Sequence, residues 1–512
     1  MNLRKNYVII QSNDILGGEG ESVNRYKKLL QNTGLITLGT FGSKLLPFLL
    51  MRLYTAALSD GDYNTADLVT QTAKLLIPFA ALGLTEGLFR LAMEGNRSLK
   101  KKVFTAGFLI FGGGFVLLVP LLLVAYLILK GYGISFSRYI FLIGLYVLAS
   151  CLHSLVTQYI RTKDHFFFFS LQGVVNTVLV AVLNIVFYAT GHFGVEEYVL
   201  SVALADFATF LLVFLKERLW RDLVPPRKIE KEVYSVMIRY SAPLIPMAVS
   251  WWITAVSDRY MVRLFVADPN VADYYSAAYK IPTLVTLLCS IFSQAWSYSS
   301  VKENDEKERS RFFSKVFSTY FGLLFLMAAF LVAFSKVLTA LMMAKSYRPA
   351  WEYIPILTGA TVFSSLVTFM GSVYTVRMKS TFSMWTSLVG AALNIVLNLL
   401  LIPERIGSVK MAGMGAMGAA VATLISYFAV FLIRALTAKH YVRFNLHSFL
   451  LGENCVLLFL QILLMTFSDR LSPFLWIPLQ VIFVGLFLLL DGRILYKRLK
   501  KFLFPKSNEK KV

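Results

Sequence analysis

Cysteine, histidine, acid and long polar stretches are all scarce in this chain. Its 512 residues include 3 Cys and 5 His. Cys151, Cys289 and Cys455 each lie inside an apolar run, with no C-x-x-C pair and no His at ligand spacing. His153, His165, His192, His440 and His447 are scattered. Disulfide frameworks and metal sites need clustered ligands, so neither is expected, and the cysteines read as small buried hydrophobes. No loop is long enough to hold a soluble catalytic domain. GTFGSK at 39–44 lacks the Walker A spacing, so no ATP site is indicated. GMGAMG at 413–418 matches G-x-G-x-x-G, but no strand precedes it. Close helix packing through small residues is the better reading there. The first thirty residues are polar with no apolar h-region, so a cytosolic tail without a cleaved signal is expected.

What remains is apolar. Hydrophobic residues make up 57% of the chain and the mean hydropathy is +0.64, whereas soluble domains average about 45–50% apolar. A membrane-crossing helix needs roughly 20 mainly apolar residues, and on that measure fourteen spans can be drawn. The first six lie at about 32–57, 66–93, 103–130, 137–160, 166–190 and 196–215. Six more lie at about 236–266, 271–300, 312–340, 350–376, 381–402 and 411–436, and two last at about 447–468 and 474–496. The predicted fold is all-α. It is a polytopic membrane protein of about 14 transmembrane helices, in two pseudo-symmetric six-helix lobes followed by two C-terminal helices. The expected divisions are a cytosolic tail (1–31), an N-lobe (32–222), a C-lobe (223–438), the last two helices (439–497) and a basic cytosolic tail (498–512).

The charge is lopsided, with 51 Lys and Arg against 29 Asp and Glu and a net charge of +22. Nucleic acid is an unsuitable partner, because the basic residues sit in short loops between apolar runs, as topology signals do. With the N-terminus inside, 35 basic residues fall on the inner side and 8 on the outer side. The other eight lie within spans: Lys44, Arg52, Lys74, Arg90, Arg239, Arg259, Arg263 and Lys280. All eight belong to spans 1, 2, 7 and 8. Lys216 to Val236, with two prolines and dense charge, reads as a cytosolic linker between the halves.

The chain also repeats. MRLYTAALSDGDYNTAD (51–67) resembles VRLFVADPNVADYY (262–275), each with a basic residue, an apolar pair and a short acidic turn. Lys74 with Pro78 answers Lys280 with Pro282, Arg161 and Lys163 answer Arg377 and Lys379, and VLNIV at 182–186 answers ALNIV at 392–396. The offsets are 211, 206, 216 and 210. Six spans per copy give both copies the same orientation, related by an axis along the membrane normal.

A Lys or Arg at bilayer depth costs roughly 2.5–3.5 kcal/mol by insertion scales. Arg90 and Arg239 lie near inner ends and can snorkel, as can Arg52 and Arg263 near outer ends. Lys44, Lys74, Arg259 and Lys280 are deeper. The acids read beside them are Glu86 and Asp258. Two readings stay open: structural ion pairs such as Asp258 with Arg259 or Lys280, or a hydrated cationic cavity for an anionic substrate. Asp206 sits mid-span and is either a coupling-ion or proton site or the centre of a Ser/Thr network. Trp251, Trp252 and Trp296 could stack on sugars or form an interfacial belt. Prolines 47, 78, 243, 246 and 282 allow bends in the same spans.

The 6 + 6 + 2 arrangement and the P-x-x-P…SDRYMV…VADYYSAAYKIP stretch carry a family resemblance. The chain resembles the multidrug/oligosaccharidyl-lipid/polysaccharide (MOP) exporter superfamily, and within it the polysaccharide or O-antigen (Wzx-type) flippase branch. The resemblance covers about residues 30–440 well and the last two spans loosely. It implies two lobes forming a V, with helices 1, 2, 7 and 8 lining a cavity, and a polytopic protein of the bacterial cytoplasmic membrane with both termini cytosolic. The implied activity is transport, not catalysis: an undecaprenyl-pyrophosphate-linked oligosaccharide is flipped from inner to outer leaflet for cell-surface polysaccharide synthesis. Lys44, Arg52, Lys74, Arg259, Arg263 and Lys280 would contact the pyrophosphate or glycan. Asp258, Glu86 and Asp206 would serve coupling to an Na+ or H+ gradient. No cofactor is implied. The partners are the lipid-linked oligosaccharide, membrane lipids and polysaccharide polymerase or assembly proteins. The rivals are an ion-coupled multidrug or small-molecule antiporter, which should prefer an acidic cavity, and a membrane-embedded polymerase or glycosyltransferase, which needs a larger loop than any here.

Overall fold

Inside a bilayer the backbone has no water to bond, so long apolar runs must pair their N–H and C=O groups within themselves. The computed structural model has that form. It describes residues 48, 50–58, 61–84, 88, 91–92, 96–163, 165–242, 244–287, 289, 306–376, 380–441, 444–492 and 495–496. The first part holds α1 (Met51–Ala57), α2 (Asp62–Ala80), α3 (Arg97–Gly131), α4 (Ile140–Thr162), α5 (Phe166–Ala189) and α6 (Val195–Lys216). After two 3-10 turns come α7 (Lys231–Ser241), α8 (Leu244–Phe265), α9 (Pro269–Ala278), α10 (Glu306–Ala333) and α11 (Ser335–Met342). A 3-10 stretch (Lys345–Glu352) leads to α12 (Ile354–Val376), α13 (Ser380–Leu401), a two-stranded hairpin (Arg405–Ile406 with Val409–Lys410), α14 (Gly415–Tyr441), α15 (Ser448–Thr466) and α16 (Pro473–Phe487).

Ten helices among the described residues are long and apolar enough to cross a membrane. They correspond to the expected spans 3 to 6 and 9 to 14. The other four expected spans are those that carry the eight basic residues. Of these, α2 and α8 are continuous helices of 19 and 22 residues; their polar side chains are what lower their hydropathy. The expected span at 236–266 is broken. Ser241 ends α7 and Leu244 starts α8, and Arg239 stands exposed on the shorter, more polar α7.

Helices α4, α5 and α6 pack together with α3, and α12, α13 and α14 form a second group with α8 and α10. α2 touches both groups, lying against α4 and α6 on one side and α8 and α9 on the other. α15 and α16 pack on α10. The glycine-rich 413–418 stretch serves packing: a Cβ on Gly418 would stand 2.6 Å from the Leu401 carbonyl oxygen, so α14 approaches the backbone of α13 where it carries no side chain of its own. The Lys216–Val236 linker is docked. Asp222 accepts from Lys101 Nζ at 3.0 Å, from Tyr159 Oη at 3.1 Å and from Lys163. Although burial raises it, these lysines hold the Asp222 carboxyl below its ordinary value.

Candidate functional site

The two repeats meet along α2, α8 and α9, and their deep charges meet there too. Asp67 and Lys74 are seven residues apart on α2, two turns along one face. Asp67 is buried and accepts from Arg259 Nη1 of α8, and Lys280 Nζ, just past α9, lies 3.3 Å from its other oxygen. The Arg259 guanidinium sits 4.2 Å from the centre of the Tyr279 ring, and its buried Nε has no hydrogen-bond partner among the described residues. Lys74 lies within electrostatic reach of Asp67, Lys280 and Arg259. Its side chain is exposed.

Three cations thus converge on one carboxylate that sequence reasoning missed. Asp258, the partner expected for Arg259 or Lys280, is engaged elsewhere. It accepts from Tyr275 Oη at 2.7 Å, from Thr423 Oγ1 at 3.0 Å, from Tyr279 Oη and from the Arg259 backbone N–H at 2.8 Å. Thr423 in turn accepts from Asn394 Nδ2 at 3.3 Å, and Asn394 accepts from Ser257 Oγ at 3.1 Å and Asn398 Nδ2 at 3.0 Å. This cage ties α8, α9, α13 and α14 together around the residue next to Arg259. A signal for Asp67 was present: A-D-x6-K occurs at 66–74 and at 272–280, so Asp67 answers Asp273 at the 206 offset of the two lysines.

Asp273 crosses between the repeats the other way. It accepts from the N–H groups of Gly61 (2.9 Å) and Asn64 (2.7 Å) at the start of α2, where the helix dipole favours negative charge. Tyr347 adds a hydrogen bond to Asp273 at 3.2 Å and one to the Leu58 carbonyl at 2.6 Å. Asn64 donates to Ser276 at 2.8 Å, and Thr55 Oγ1 accepts from the Ala344 N–H at 2.8 Å. Gly61 is held at φ +90°, and a Cβ there would come within 2.7 Å of Arg263 Nη1 and 3.0 Å of Pro269 Cβ. The Gly61 end of α2 is therefore held by contacts that need both repeats. Farther along, Tyr260 Oη donates to the Leu68 carbonyl at 3.0 Å and Trp252 Nε1 to the Gln71 carbonyl at 2.9 Å, stapling α8 to α2. Trp252 is thus a staple, while Trp251 is exposed.

Of the residues expected at the site, Arg259, Lys280 and Lys74 come together. Arg263 is exposed over Gly61, and Arg52 is exposed on α1. Asp206 is on α6 in a separate cluster with Ser150, His153 and Asn176. Lys44, Glu86, Arg90, Pro243 and Trp296 lie outside the described residues. Arg434, counted in sequence with the inner loops, is buried in α14. It donates to the Val367 and Ser383 carbonyls at 2.8 and 2.9 Å and to Thr386 and Ser387, each at 2.9 Å. Among the described residues no group of His, Cys, Asp and Glu could hold a metal ion.

A family model described as polysaccharide biosynthesis protein matches residues 29–298. Among curated proteins, no significant match is found. Solved structures share the fold. A lipid II flippase MurJ in an inward closed conformation aligns at TM-score 0.65 and 14% identity, over 91% of this chain and 99% of that one. A multidrug resistance MATE family transporter of the MOP superfamily, in an outward-facing conformation, aligns at TM-score 0.53 and 13% identity, over 80% of this chain and 95% of that one. A MOP superfamily transporter from Pyrococcus furiosus, described by the reverse polarity of its binding pocket, aligns at TM-score 0.52 and 13% identity, over 80% and 95%.

Proposed function

Because the chain belongs to the polysaccharide biosynthesis protein family, we propose that this multi-pass membrane protein is a flippase for undecaprenyl-pyrophosphate-linked oligosaccharide, moving it from the inner to the outer leaflet of the bacterial cytoplasmic membrane. The reading takes fourteen spans in two six-helix lobes plus two, with both termini cytosolic. One observation carries it: Arg259 and Lys280 both engage a single buried carboxylate at the meeting of the two repeats, with Lys74 in electrostatic reach of it. A diphosphate is the ligand that such a set suits. Arg offers a planar fork for phosphate oxygens, Lys a point charge, and the unpartnered Arg259 Nε a further donor. Asp67 stands in for that anion when the chamber is empty.

The mechanism follows from charge. A diphosphate cannot enter hydrocarbon unneutralised, so the step to be catalysed is its desolvation. The chamber replaces water with cations while the polyprenyl tail stays in lipid. A groove of ≈ 520 Å³ lined by Phe449, Val456, Leu457 and Leu490 supports a tail path along α15. Arrival of the diphosphate displaces Asp67 from Arg259 and Lys280. That loosens one of the cross-repeat links, and the Asp273 seal at the Gly61 end, read as outer, then opens. Lys44, Arg52 and Arg263 are proposed as entry and exit contacts, with Asp258, Glu86 and Asp206 as positions for ion or proton coupling. The rival, an antiporter of cationic small molecules, is favoured by the MATE likeness but disfavoured by three cations facing Asp67. Reconstituted protein with a fluorescent lipid-pyrophosphate oligosaccharide tests the reading. Arg259→Ala and Lys280→Ala should slow translocation at least tenfold; well-folded variants flipping at the wild-type rate would end it.

A further inference from the structure

A second buried polar cluster lies among α4, α5 and α6, away from the Asp67 chamber. His153 of α4 places Nδ1 3.0 Å from Asp206 Oδ1 of α6 and Nε2 2.6 Å from Gln172 Oε1 of α5. The Gln172 amide is oriented by its own Nε2, which donates to the Phe169 carbonyl at 3.1 Å. Its oxygen must therefore face the ring. Asp206 also accepts from Asn176 Nδ2 at 2.8 Å and from Ser150 Oγ. With Asp206 ionised, a neutral imidazole, which has one N–H, would leave its other nitrogen lone pair against an oxygen lone pair. A doubly protonated ring donates to both oxygens and satisfies every group in the cluster.

From this geometry we infer that His153 and Asp206 form a proton-binding site, and that the proton on His153 locks α5 against α4 through Gln172. When the proton leaves, Nε2 and Gln172 Oε1 repel, and either the ring or the Gln172–Phe169 bond must turn. Loss of one proton thus loosens one helix contact inside the first repeat.

The cluster also reports to the chamber. Lys74 of α2 lies within electrostatic reach of both Asp67 and Asp206. Tyr146 and Cys151 of α4 lie within reach of Asp206 as well. The hydrogen-bond partners of the His153 ring are Asp206 and Gln172. With the proton bound, the imidazolium and carboxylate cancel as seen from Lys74. With it gone, Asp206 is an uncompensated anion that draws Lys74 away from the diphosphate position. The role as a drive for transport rests on the flippase reading; the proton site itself does not.

Two measurements separate these. In protein labelled with 15N-histidine, the ring missing from a His153→Gln sample identifies His153. We expect both of its nitrogens to be protonated at pH 7.5, where an ordinary His, with a pKa of about 6.5, is mostly neutral. A neutral ring there would overturn the proton site, whatever the protein transports. In proteoliposomes with the fluorescent lipid-pyrophosphate oligosaccharide, a one-proton site changes its occupancy by up to about tenfold per pH unit. Wild type should therefore respond severalfold to an imposed pH gradient and His153→Gln should not respond. An unchanged gradient response in His153→Gln would overturn the coupling. If wild type moved no such lipid at any pH, the flippase reading would fail while the nitrogen spectra still decided the proton site.

Discussion

Asp67→Asn removes the carboxylate but keeps its shape, and the structure sets opposite signs for its two effects. At an effective dielectric of about 20, unit charges at the Lys280–Asp67 separation of 3.3 Å attract by about 5 kcal/mol. Desolvation cancels much of that, but removing one partner strands the others. Breaking a buried pair in this way costs about 3–5 kcal/mol. The variant should therefore unfold at a lower temperature in detergent. The same change removes the group that a diphosphate must displace. Even about 1.4 kcal/mol of relieved competition would tighten anion binding tenfold. Titrating each protein with inorganic pyrophosphate while following the thermal midpoint checks both effects. Wild type should start higher and rise little, while Asp67→Asn should start lower and rise more. Added Arg259→Ala and Lys280→Ala should abolish the rise. The reasoning is refuted if Asp67→Asn melts with wild type, or if pyrophosphate raises both midpoints equally.

Other positions give independent tests. Gly61→Ala meets both a left-handed backbone and the Arg263 guanidinium, and should lower stability by about 1–3 kcal/mol; adding Arg263→Ala should recover only the steric part. Asp222→Asn should cost about 1–3 kcal/mol at neutral pH, because Lys101 and Lys163 lose their acceptor. The folded-state carboxyl of Asp222 is held below its ordinary value. Its stabilisation is therefore present above about pH 4 and lost as the pH falls further. Thermal midpoints measured down a pH series should drop faster for wild type than for Asp222→Asn. Arg434→Lys keeps the charge but loses the planar fork that reaches Val367, Ser383, Thr386 and Ser387. It should cost about 2–5 kcal/mol in a thermal melt.

Hydropathy located the helices wherever the apolar run was unbroken, as in α3 to α6, α10 and α12 to α16. It failed by residues between Ser241 and Leu244, where α7 gives way to α8, and along α2, whose polar side chains interrupt the run. Composition also pointed to Lys74, Arg259 and Lys280, because basic residues at bilayer depth need a partner. It could not say which acid that partner was. Asp258 is nearest in sequence to Arg259, yet hydroxyls from Tyr275, Tyr279 and Thr423 satisfy it. Hydroxyl partners are invisible to a charge census. Arg434 was misread for the same reason, since its acceptors are carbonyls and hydroxyls brought in by folding.

The repeat explains why the pairing crosses. Asp67 and Asp273 are equivalent positions, each seven residues before a lysine, yet neither bonds to its own lysine. Seven residues is two helical turns, about 10 Å of rise, which is beyond hydrogen-bond reach. Each carboxylate must find donors on the other copy. Asp67 finds side-chain cations, and Asp273 finds the N–H groups that open α2. The two links differ in what can break them. An anion can compete for Arg259 and Lys280, because their positive charge attracts it. It has little hold on two backbone N–H groups already covered by Asp273. In the proposed transport cycle, one link is thus suited to sense a charged ligand and the other to hold the far end shut until the first has yielded. That order requires the Asp67 link to loosen before the Asp273 seal.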